Sequence, residues 1–314
     1  MIALLKRMKW LYAVYNFFHK NQLVHNELVF KKLGIGKKYY SPVCSKDFAG
    51  LPGNLPGNTT NRAALKSSPL FQALNPASRE SLLSFDDNGF AILNNYLDGD
   101  TVDAINNEID SLLEQKKIKF TDTNKLMFAI HASPLLNGIG NNEPLKELLG
   151  TLLGGKAALF QSINFMMGSE QHTHSDSIHM TTYPLGGLLG AWIALEDVTE
   201  ENGPLHYYPQ SHKLPYYLNA DYNNEGNSWL LGDKEYIEYE AMMEEKIKEQ
   251  QLQPVKFLAK KGDLLIWHAN LFHGGDPHTD KTKTRKSMVL HYFKEGCICY
   301  HEITQRPALI NNGI

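Results

Sequence analysis

Residues 171–176 read Gln-His-Thr-His-Ser-Asp, and a single residue separates the last histidine of this stretch from the aspartate. On an extended strand, residues i and i+2 project from the same face, so the imidazole of His174 and the carboxylate of Asp176 can meet one cation. Two histidines and one carboxylate, with open positions opposite, form the site of non-haem Fe(II) oxygenases. A His-x-Asp triplet often arises by chance, so the rest of the chain must supply the third ligand.

The candidates for that third ligand follow the apolar run 264–268, which Gly262-Asp263 opens. His273, followed by two glycines, is the favoured second histidine, and His268, on the strand itself, stays open as the alternative. Arg285 lies twelve residues beyond His273. A guanidinium has a planar fork that matches a carboxylate. A cosubstrate with two carboxylates and a keto group could therefore chelate iron at one end and bind this arginine at the other.

Short apolar runs between Gly, Pro and Asn dominate the chain from about residue 157. Short strands at this spacing predict an all-β sandwich, barrel or jelly roll. Before them, Asn75-Pro76 predicts a helix start, and residues 100–115 carry apolar side chains three or four apart. The acidic stretch 233–252 has a helical stripe and is either a surface insertion or a lid over the site. The predicted strands are 158–167, 179–183, 188–196, 205–208, 255–258, 263–268 and 286–293.

Composition places the chain among soluble globular proteins. It has 314 residues, of which 42% are hydrophobic and 21% charged, so one large domain is expected. The net charge of −3 gives no general affinity for nucleic acid. The three cysteines are an odd number, which favours a reducing, cytoplasmic location.

The N-terminal residues 1–40 differ from the rest, with eight Lys or Arg against one acid, Glu27. The aromatic run 10–18 is too short to span a bilayer, and no small-residue cleavage site follows, so no signal peptide is expected. Two interpretations stay open. The favoured one is a helix packed on the domain with a solvated basic edge. The other is an amphipathic helix in peripheral contact with an anionic membrane.

Taken together, residues 82–293 resemble the phytanoyl-CoA dioxygenase family of Fe(II)/2-oxoglutarate-dependent oxygenases. The order and spacing of the motifs are both those of the family. One departure is Gln210, where the family's turn has glycine, and it bears on loop conformation. The matching motifs are Phe85-Asp86-Asp87-Asn88-Gly89-Phe90, Gln161-Ser162, His174-Ser175-Asp176, residues 191–197, Glu201-Asn202-Gly203-Pro204-Leu205, residues 209–213, Gly262-Asp263, His273-Gly274-Gly275 and Arg285-Lys286-Ser287.

The resemblance implies a mostly β (α+β) fold, a double-stranded β-helix of the jelly-roll or cupin type with N-terminal and flanking helices. It also implies a dioxygenase that uses Fe(II), 2-oxoglutarate and O2 to hydroxylate an aliphatic C–H of a small-molecule metabolite. Related halogenases have a small residue in place of Asp176, so this chain should not halogenate. The alternative is a catalytically inactive cupin-like module that binds a metal or ligand, although such a module has no need of Arg285.

The resemblance assigns roles to individual residues. His174, Asp176 and His273 would be the iron ligands, and Arg285, helped by Ser287, would bind the distal carboxylate of 2-oxoglutarate. Trp192 is equally well interpreted as a core aromatic, and His179 is a weaker candidate for facing the substrate. Further residues expected at the cosubstrate pocket are Gln161, Asn164 and Trp192.

The expected organisation is a basic helical and loop extension over residues 1–75, an oxygenase domain over 76–300 and a tail over 301–314. Within the domain, the helix near 233–252 is expected to be an insertion that, with residues 205–255, shapes the substrate pocket. The expected partner is a small molecule.

Overall fold

Antiparallel strands build the centre of the molecule, and all seven predicted strands are present. The computed structural model of the chain describes residues 5–51 and 60–310. Strands absent from the prediction are short, and they include the segment that carries His273. The strands are β1 (Phe90–Leu93), β2 (Leu126–Met127), β3 (Ala157–Phe165), β4 (Thr181–Tyr183), β5 (Leu188–Ala194), β6 (Leu205–Tyr207), β7 (Val255–Phe257), β8 (Leu264–His268), β9 (His273–Gly275), β10 (Ser287–Lys294), β11 (Ile298–His301) and β12 (Arg306–Pro307).

Helices flank the strands, and the predicted helix starts are confirmed. Asn75 caps the helix Pro76–Leu83, its side-chain oxygen accepting a hydrogen bond from the Ser78 amide at 2.9 Å. Asn61 caps the helix Arg62–Ser67 in the same way, its side-chain oxygen accepting a hydrogen bond from the Ala64 amide. The helices are α1 (Lys9–Phe18), α2 (Glu27–Leu33), α3 (Arg62–Ser67), α4 (Pro69–Ala73), α5 (Pro76–Leu83), α6 (Phe85–Asn88), α7 (Gly99–Glu114), α8 (Pro134–Gly140), α9 (Glu143–Leu153) and α10 (Tyr236–Glu249).

The strands form one six-stranded sheet, in the order β1-β8-β5-β10-β3-β2, and two smaller sheets, β7-β6-β9 and β12-β11-β4. One face of the large sheet packs under the helices, with Ile105, Leu149 and Leu290 in one buried cluster. The other face packs against β6 and β7, where Trp192 and Phe257 meet. This layering is the predicted jelly roll with flanking helices, so the predicted fold class is confirmed.

The central strand β5 is buried along its whole length because both faces of the large sheet are covered. Gly190 on β5 lies directly opposite Trp267 on β8. A Cβ at position 190 would overlap the Trp267 indole, so glycine here makes room for that ring. The position of Trp267 therefore depends on the smallest residue of the neighbouring strand.

Gln210 begins the turn in which the sequence departs from the family motif. Its φ is 68°, in the left-handed region that glycine adopts readily and that costs other residues free energy. The departure thus changes the residue but retains the conformation that a glycine would favour.

The predicted N-terminal extension is in contact with the β domain. Phe30 and Phe48 share a buried cluster with Tyr183 and Tyr300, and β12 of the predicted tail pairs with β11. Among residues 5–51 and 60–310, no helix is both long and apolar enough to cross a bilayer. The boundaries at 75 and 300 stay a prediction.

Replacing Gly190 with alanine tests the packing of Trp267. We expect a loss of about 1–3 kcal/mol in the free energy of unfolding, because the added methyl group overpacks the space that the indole fills. Chemical denaturation measures it. The control is Gly138→Ala in α8, where an added Cβ meets no atom within 4 Å and alanine favours the helix. Equal stability of the two variants would contradict the packing argument.

Candidate metal centre and active-site cavity

His174, Asp176 and His273 come together where two chain segments run antiparallel. The backbone amides of His174 and His273 each donate to the other's carbonyl oxygen at 2.9 Å. Ser175 is extended and Asp176 begins a 3-10 turn. One ligand atom from each of the three side chains lies within 4.8 Å of the other two. The expected arrangement at i and i+2 is therefore held by a single β-bridge and a turn rather than by a regular strand.

Backbone carbonyls fix the orientation of both imidazoles. His174 Nδ1 donates to the His172 carbonyl oxygen and His273 Nδ1 to that of Leu271, both at 2.9 Å. A carbonyl can only accept, so in the neutral rings Nε2 carries the free lone pair. The two Nε2 atoms face Asp176 Oδ1, at 3.9 Å from His174 and 3.6 Å from His273. Three lone pairs thus converge on one point.

The second carboxylate oxygen of Asp176, Oδ2, has two ring nitrogens as neighbours. Trp267 Nε1 donates to Oδ2 at 2.6 Å, and His291 Nε2 lies 3.5 Å from the same oxygen. Oδ1 is left free to face the two imidazoles. Sequence reasoning missed Trp267, because nothing in a strand tryptophan signals a bond to a carboxylate far away in the chain.

The protonation states of the cluster suit a divalent cation. Burial lowers the pKa of His174 well below its ordinary value, with His273 and His179 adding to the effect. Burial alone would raise the pKa of Asp176, but His273 and His291 outweigh it, and the pKa of this carboxyl lies below its usual range. Neutral imidazole and ionised carboxylate are the forms that bind metal.

Arg285 is a buried cation that forms no ion pair with the residues that the structure describes. The arginine is 2% exposed, and its Nε and Nη1 have no hydrogen-bond partner among the described residues. The guanidinium carbon lies 5.7 Å from the centre of the Trp192 ring. Burial lowers the pKa of Arg285 to about 10, which still leaves it charged at neutral pH. An unpaired buried charge is costly, so the site is suited to an anionic ligand.

One cavity of about 210 Å³ joins the triad to Arg285. Gln161, Trp192 and His179 also line it, whereas Asn164 and Ser287 are buried but not among its lining residues. On β3, Gln161, Ile163 and Phe165 line the cavity, so the alternation of a strand turns Asn164 to the other face. Trp192 belongs both to the hydrophobic core and to the cavity wall, as the two interpretations required.

The remaining histidines lie outside the cluster of three. His268 is the alternative ligand, but it alternates with Trp267 on β8, and only Trp267 lines the cavity. His212 lies in a turn, and its Nε2 donates to the Asp86 carbonyl oxygen at 3.1 Å. His278 is buried beside Glu170.

A chain of polar side chains forms one rim of the cavity. Lys125 Nζ donates to Gln171 Oε1 at 3.3 Å, and Gln171 Nε2 donates to His179 Nε2 at 3.3 Å. The Tyr236 hydroxyl donates to the same nitrogen at 3.0 Å. Burial holds the pKa of His179 at about 3, with His301 and Lys125 contributing, so this acceptor is neutral.

Helix α10, expected to be an insertion or a lid, contributes to this rim through Tyr236. Tyr239 is fully buried, and its hydroxyl accepts a hydrogen bond from the Ser175 amide at 3.3 Å. The helix is therefore packed on the segment that carries the candidate metal ligands His174 and Asp176. A lid movement stays a prediction.

A second chamber of about 430 Å³ adjoins the first. Gln161, Met180 and His301 line both. The walls of this outer chamber come from Tyr15 on α1, from His19 at the C-terminal end of α1, from the segment around β12, and from Phe128 and Phe160. The first cavity thus adjoins a space that terminal and central parts of the chain bound together.

Comparison with known proteins identifies the family. The model of the family described as phytanoyl-CoA dioxygenase (PhyH) matches residues 85–287. A phytanoyl-CoA dioxygenase domain-containing protein 1 from Danio rerio is 33% identical over 94 residues, 28% of this chain. The match spans 32% of that relative's length.

Solved structures show the same fold. The non-heme alpha ketoglutarate dependent carbocyclase SnoK from nogalamycin biosynthesis has a TM-score of 0.59 at 17% identity, covering 76% of this chain and 89% of that one. The epimerase SnoN in complex with Fe3+, alpha ketoglutarate and nogalamycin RO has a TM-score of 0.56 at 18% identity, covering 76% and 96%. Since the family model covers well over half of the chain, the chain belongs to the phytanoyl-CoA dioxygenase family.

Proposed function

We propose that the chain is an Fe(II)- and 2-oxoglutarate-dependent dioxygenase that hydroxylates an aliphatic C–H bond of a small organic molecule. One observation carries the proposal. The unpaired guanidinium of Arg285 lies in the same buried cavity as His174, Asp176 and His273. A module that only binds metal needs the three ligands and gains nothing from a buried arginine, whereas a dicarboxylate cosubstrate needs both.

The donor set fits ferrous iron. His174 and His273 would bind through Nε2 and Asp176 through Oδ1, a mixed nitrogen and oxygen set on one side of the metal. Bound there, iron would supply the activation of O2. The protein holds the two rings by their Nδ1–H bonds and the carboxylate by the Trp267 bond, so the ligands are oriented before the metal arrives.

The cosubstrate would lie between the metal and Arg285. The guanidinium would pair with the distal carboxylate of 2-oxoglutarate, and the Trp192 ring beside it would exclude water from that pair. Gln161 lines the same cavity. Ser287 is two residues beyond Arg285 with a buried, unpartnered hydroxyl, and we retain it as a helper. We leave Asn164 out, because it is not among the lining residues.

The substrate would occupy the rest of the cavity and extend into the outer chamber. Near the metal it would meet the polar rim of Lys125, Gln171 and His179, with Lys125 and Gln171 supplying donors. Beyond Met180 it would meet the aromatic walls of Tyr15 and Phe160. This division suits a molecule with a polar group near the reacting carbon and a longer, less polar remainder.

The retained carboxylate of Asp176 argues against halogenation, and hydroxylation is proposed as the default among the remaining oxidations. The structural neighbours named a carbocyclase and an epimerase belong to the same fold, so the fold alone does not select the outcome. The competing function is a binding module without turnover. A binding module of this kind would bind the metal equally well with and without 2-oxoglutarate.

Anaerobic titration of the metal-free protein with Fe(II) and 2-oxoglutarate tests the proposal. We expect the weak visible charge-transfer band of an iron–2-oxoglutarate chelate, absent in His174→Ala and Asp176→Ala proteins. Arg285→Met should weaken the binding of 2-oxoglutarate about a hundred-fold or more, because the distal carboxylate of the cosubstrate would lose its buried partner. The matched control is His172→Ala, which removes an exposed ring next to the triad and keeps the carbonyl that orients His174. Iron binding without the band would favour the binding module.

Trp267→Phe tests the support of Asp176. The variant keeps an aromatic side chain, although a smaller one, and loses the N–H donor to Oδ2, so we expect metal affinity to fall about 10- to 100-fold. Competition with a metal chelator measures it. Trp229→Phe, which changes an exposed indole, is the control. Unchanged affinity in Trp267→Phe would show that the bond does not position the carboxylate.

Met180→Phe tests whether the substrate reaches the outer chamber. With a substrate found by screening for succinate release, the larger side chain should raise KM about ten-fold or more by narrowing the passage. The charge-transfer band should be unchanged, since Met180 is not among the residues proposed to bind iron or 2-oxoglutarate. An unaltered KM would confine the substrate to the inner cavity.

A further inference from the structure

Helix α1 turns its apolar stripe toward solvent. Trp10, Val14 and Phe17 are spaced at i, i+4 and i+7, so they share one helix face. They are 53%, 46% and 48% exposed, whereas the residue that α1 buries is the polar Asn16. A helix that only packs on a soluble domain has the opposite arrangement. The interpretation favoured from the sequence, a packed helix with a solvated basic edge, therefore does not explain this face.

Neighbouring residues extend the stripe into a continuous surface. Phe18 is 76% exposed and lies edge-on to Phe17, with ring centres 5.7 Å apart. Tyr40 lies edge-on to Phe17 from the other side, at 5.9 Å. Single exposed apolar residues are ordinary, but contiguous ones mark an interaction surface. We call this surface the α1 patch; it comprises Trp10, Val14, Phe17, Phe18 and Tyr40. Val24 and Leu28, in the segment that follows α1, are exposed as well.

Lysines border the α1 patch. Lys20 lies over the Phe17 ring at 5.2 Å and Lys38 over the Tyr40 ring at 5.8 Å. Leu28 on α2 is 78% exposed, and the exposed Lys31 and Lys32 follow it by three and four residues, on the same side of the helix. Among the residues that the structure describes, none of these lysines forms an ion pair. The one carboxylate in residues 5–40 is Glu27.

We propose that the α1 patch docks on an anionic lipid surface. Its aromatic rings would enter the interface between headgroups and acyl chains, and the surrounding lysines would meet lipid phosphates. The lysine stems can lie along apolar surface while their ammonium groups reach water and headgroups. A second copy of the chain is a poorer occupant, because it would bring two sets of unpaired lysines together.

The outer chamber lies on the same helix. Tyr15 and His19 line the chamber and follow Val14 and Phe18 of the patch in the chain. Docking would therefore bring this part of the chamber wall close to the lipid, where a substrate with an apolar remainder would concentrate. The docking itself does not depend on the proposed reaction, and vesicle binding is measured without iron or 2-oxoglutarate.

Trp10 reports on docking directly. Of the four tryptophans, Trp192 and Trp267 are buried, so a Trp229→Phe protein keeps Trp10 as its one exposed indole. This protein is mixed with vesicles of phosphatidylcholine alone, or of phosphatidylcholine with an equal amount of phosphatidylglycerol. We expect cosedimentation and a blue shift of Trp10 emission with the anionic vesicles, both reduced by salt. The absence of binding to the anionic vesicles would overturn the proposal.

Two sets of variants separate the contribution of the aromatic rings to lipid binding from that of the lysines. Phe17→Ser with Phe18→Ser should abolish the blue shift, and Lys20→Glu with Lys31→Glu and Lys32→Glu should lower partitioning on the order of a hundred-fold. The control is Val255→Ser with Leu258→Ser, which removes comparably exposed apolar side chains in and next to β7. Binding that survives both sets of patch variants would overturn the proposal. So would wild-type self-association that the patch variants abolish, which would identify the surface as an interface between copies.

Discussion

The reciprocal backbone bridge between His174 and His273 is the constraint on which the site depends. It joins two segments that are distant in the chain, and it sets both imidazoles beside Asp176. Each ring is then fixed by a carbonyl two residues before it, so backbone geometry alone determines which nitrogen faces the metal position. The carboxylate depends in turn on Trp267, whose ring has room because β5 carries Gly190. The packing of the large sheet thus affects the position of Asp176, one of the proposed metal ligands.

Two buried charges of opposite sign line the cavity. Asp176 is an ionised carboxylate, and Arg285 is a cation whose Nε and Nη1 have no hydrogen-bond partner among the described residues. Asp176 keeps its charge because the neighbouring histidines offset the cost of its burial, whereas no ion pair among the described residues offsets the cost of burying Arg285. A dicarboxylate reaching from a metal at the triad to the guanidinium would remove that cost. This pairing is the physical basis for proposing a dioxygenase over a metal-binding module.

The terminal segments outside the family match contribute to the outer chamber and to the α1 patch. The segments before residue 85 and after residue 287 supply the α1 patch and part of the wall of the outer chamber, through Tyr15, His19 and Arg306. Residues inside the match, among them Phe160 and Met180, supply the rest of that wall. The shared region provides the barrel and the proposed chemistry, while the terminal segments bound the space where a substrate would be selected. The neighbours named as a carbocyclase and an epimerase have the same fold, and a fold by itself does not identify a reaction.

The sequence by itself determined the strand pattern and the fold class, and it pointed to His174 and Asp176, because residue type and period-two spacing are local properties. His273 was favoured over His268 through the family resemblance and the two glycines that follow it. The sequence also singled out Arg285, since a cation at that distance from the last ligand has a chemical purpose. Only the tertiary structure decided that Trp267 supports Asp176, that Asn164 turns away from the cavity and that α1 exposes its aromatic face. Those outcomes depend on sheet register and on which element covers which face, and neither is encoded within a short window of sequence.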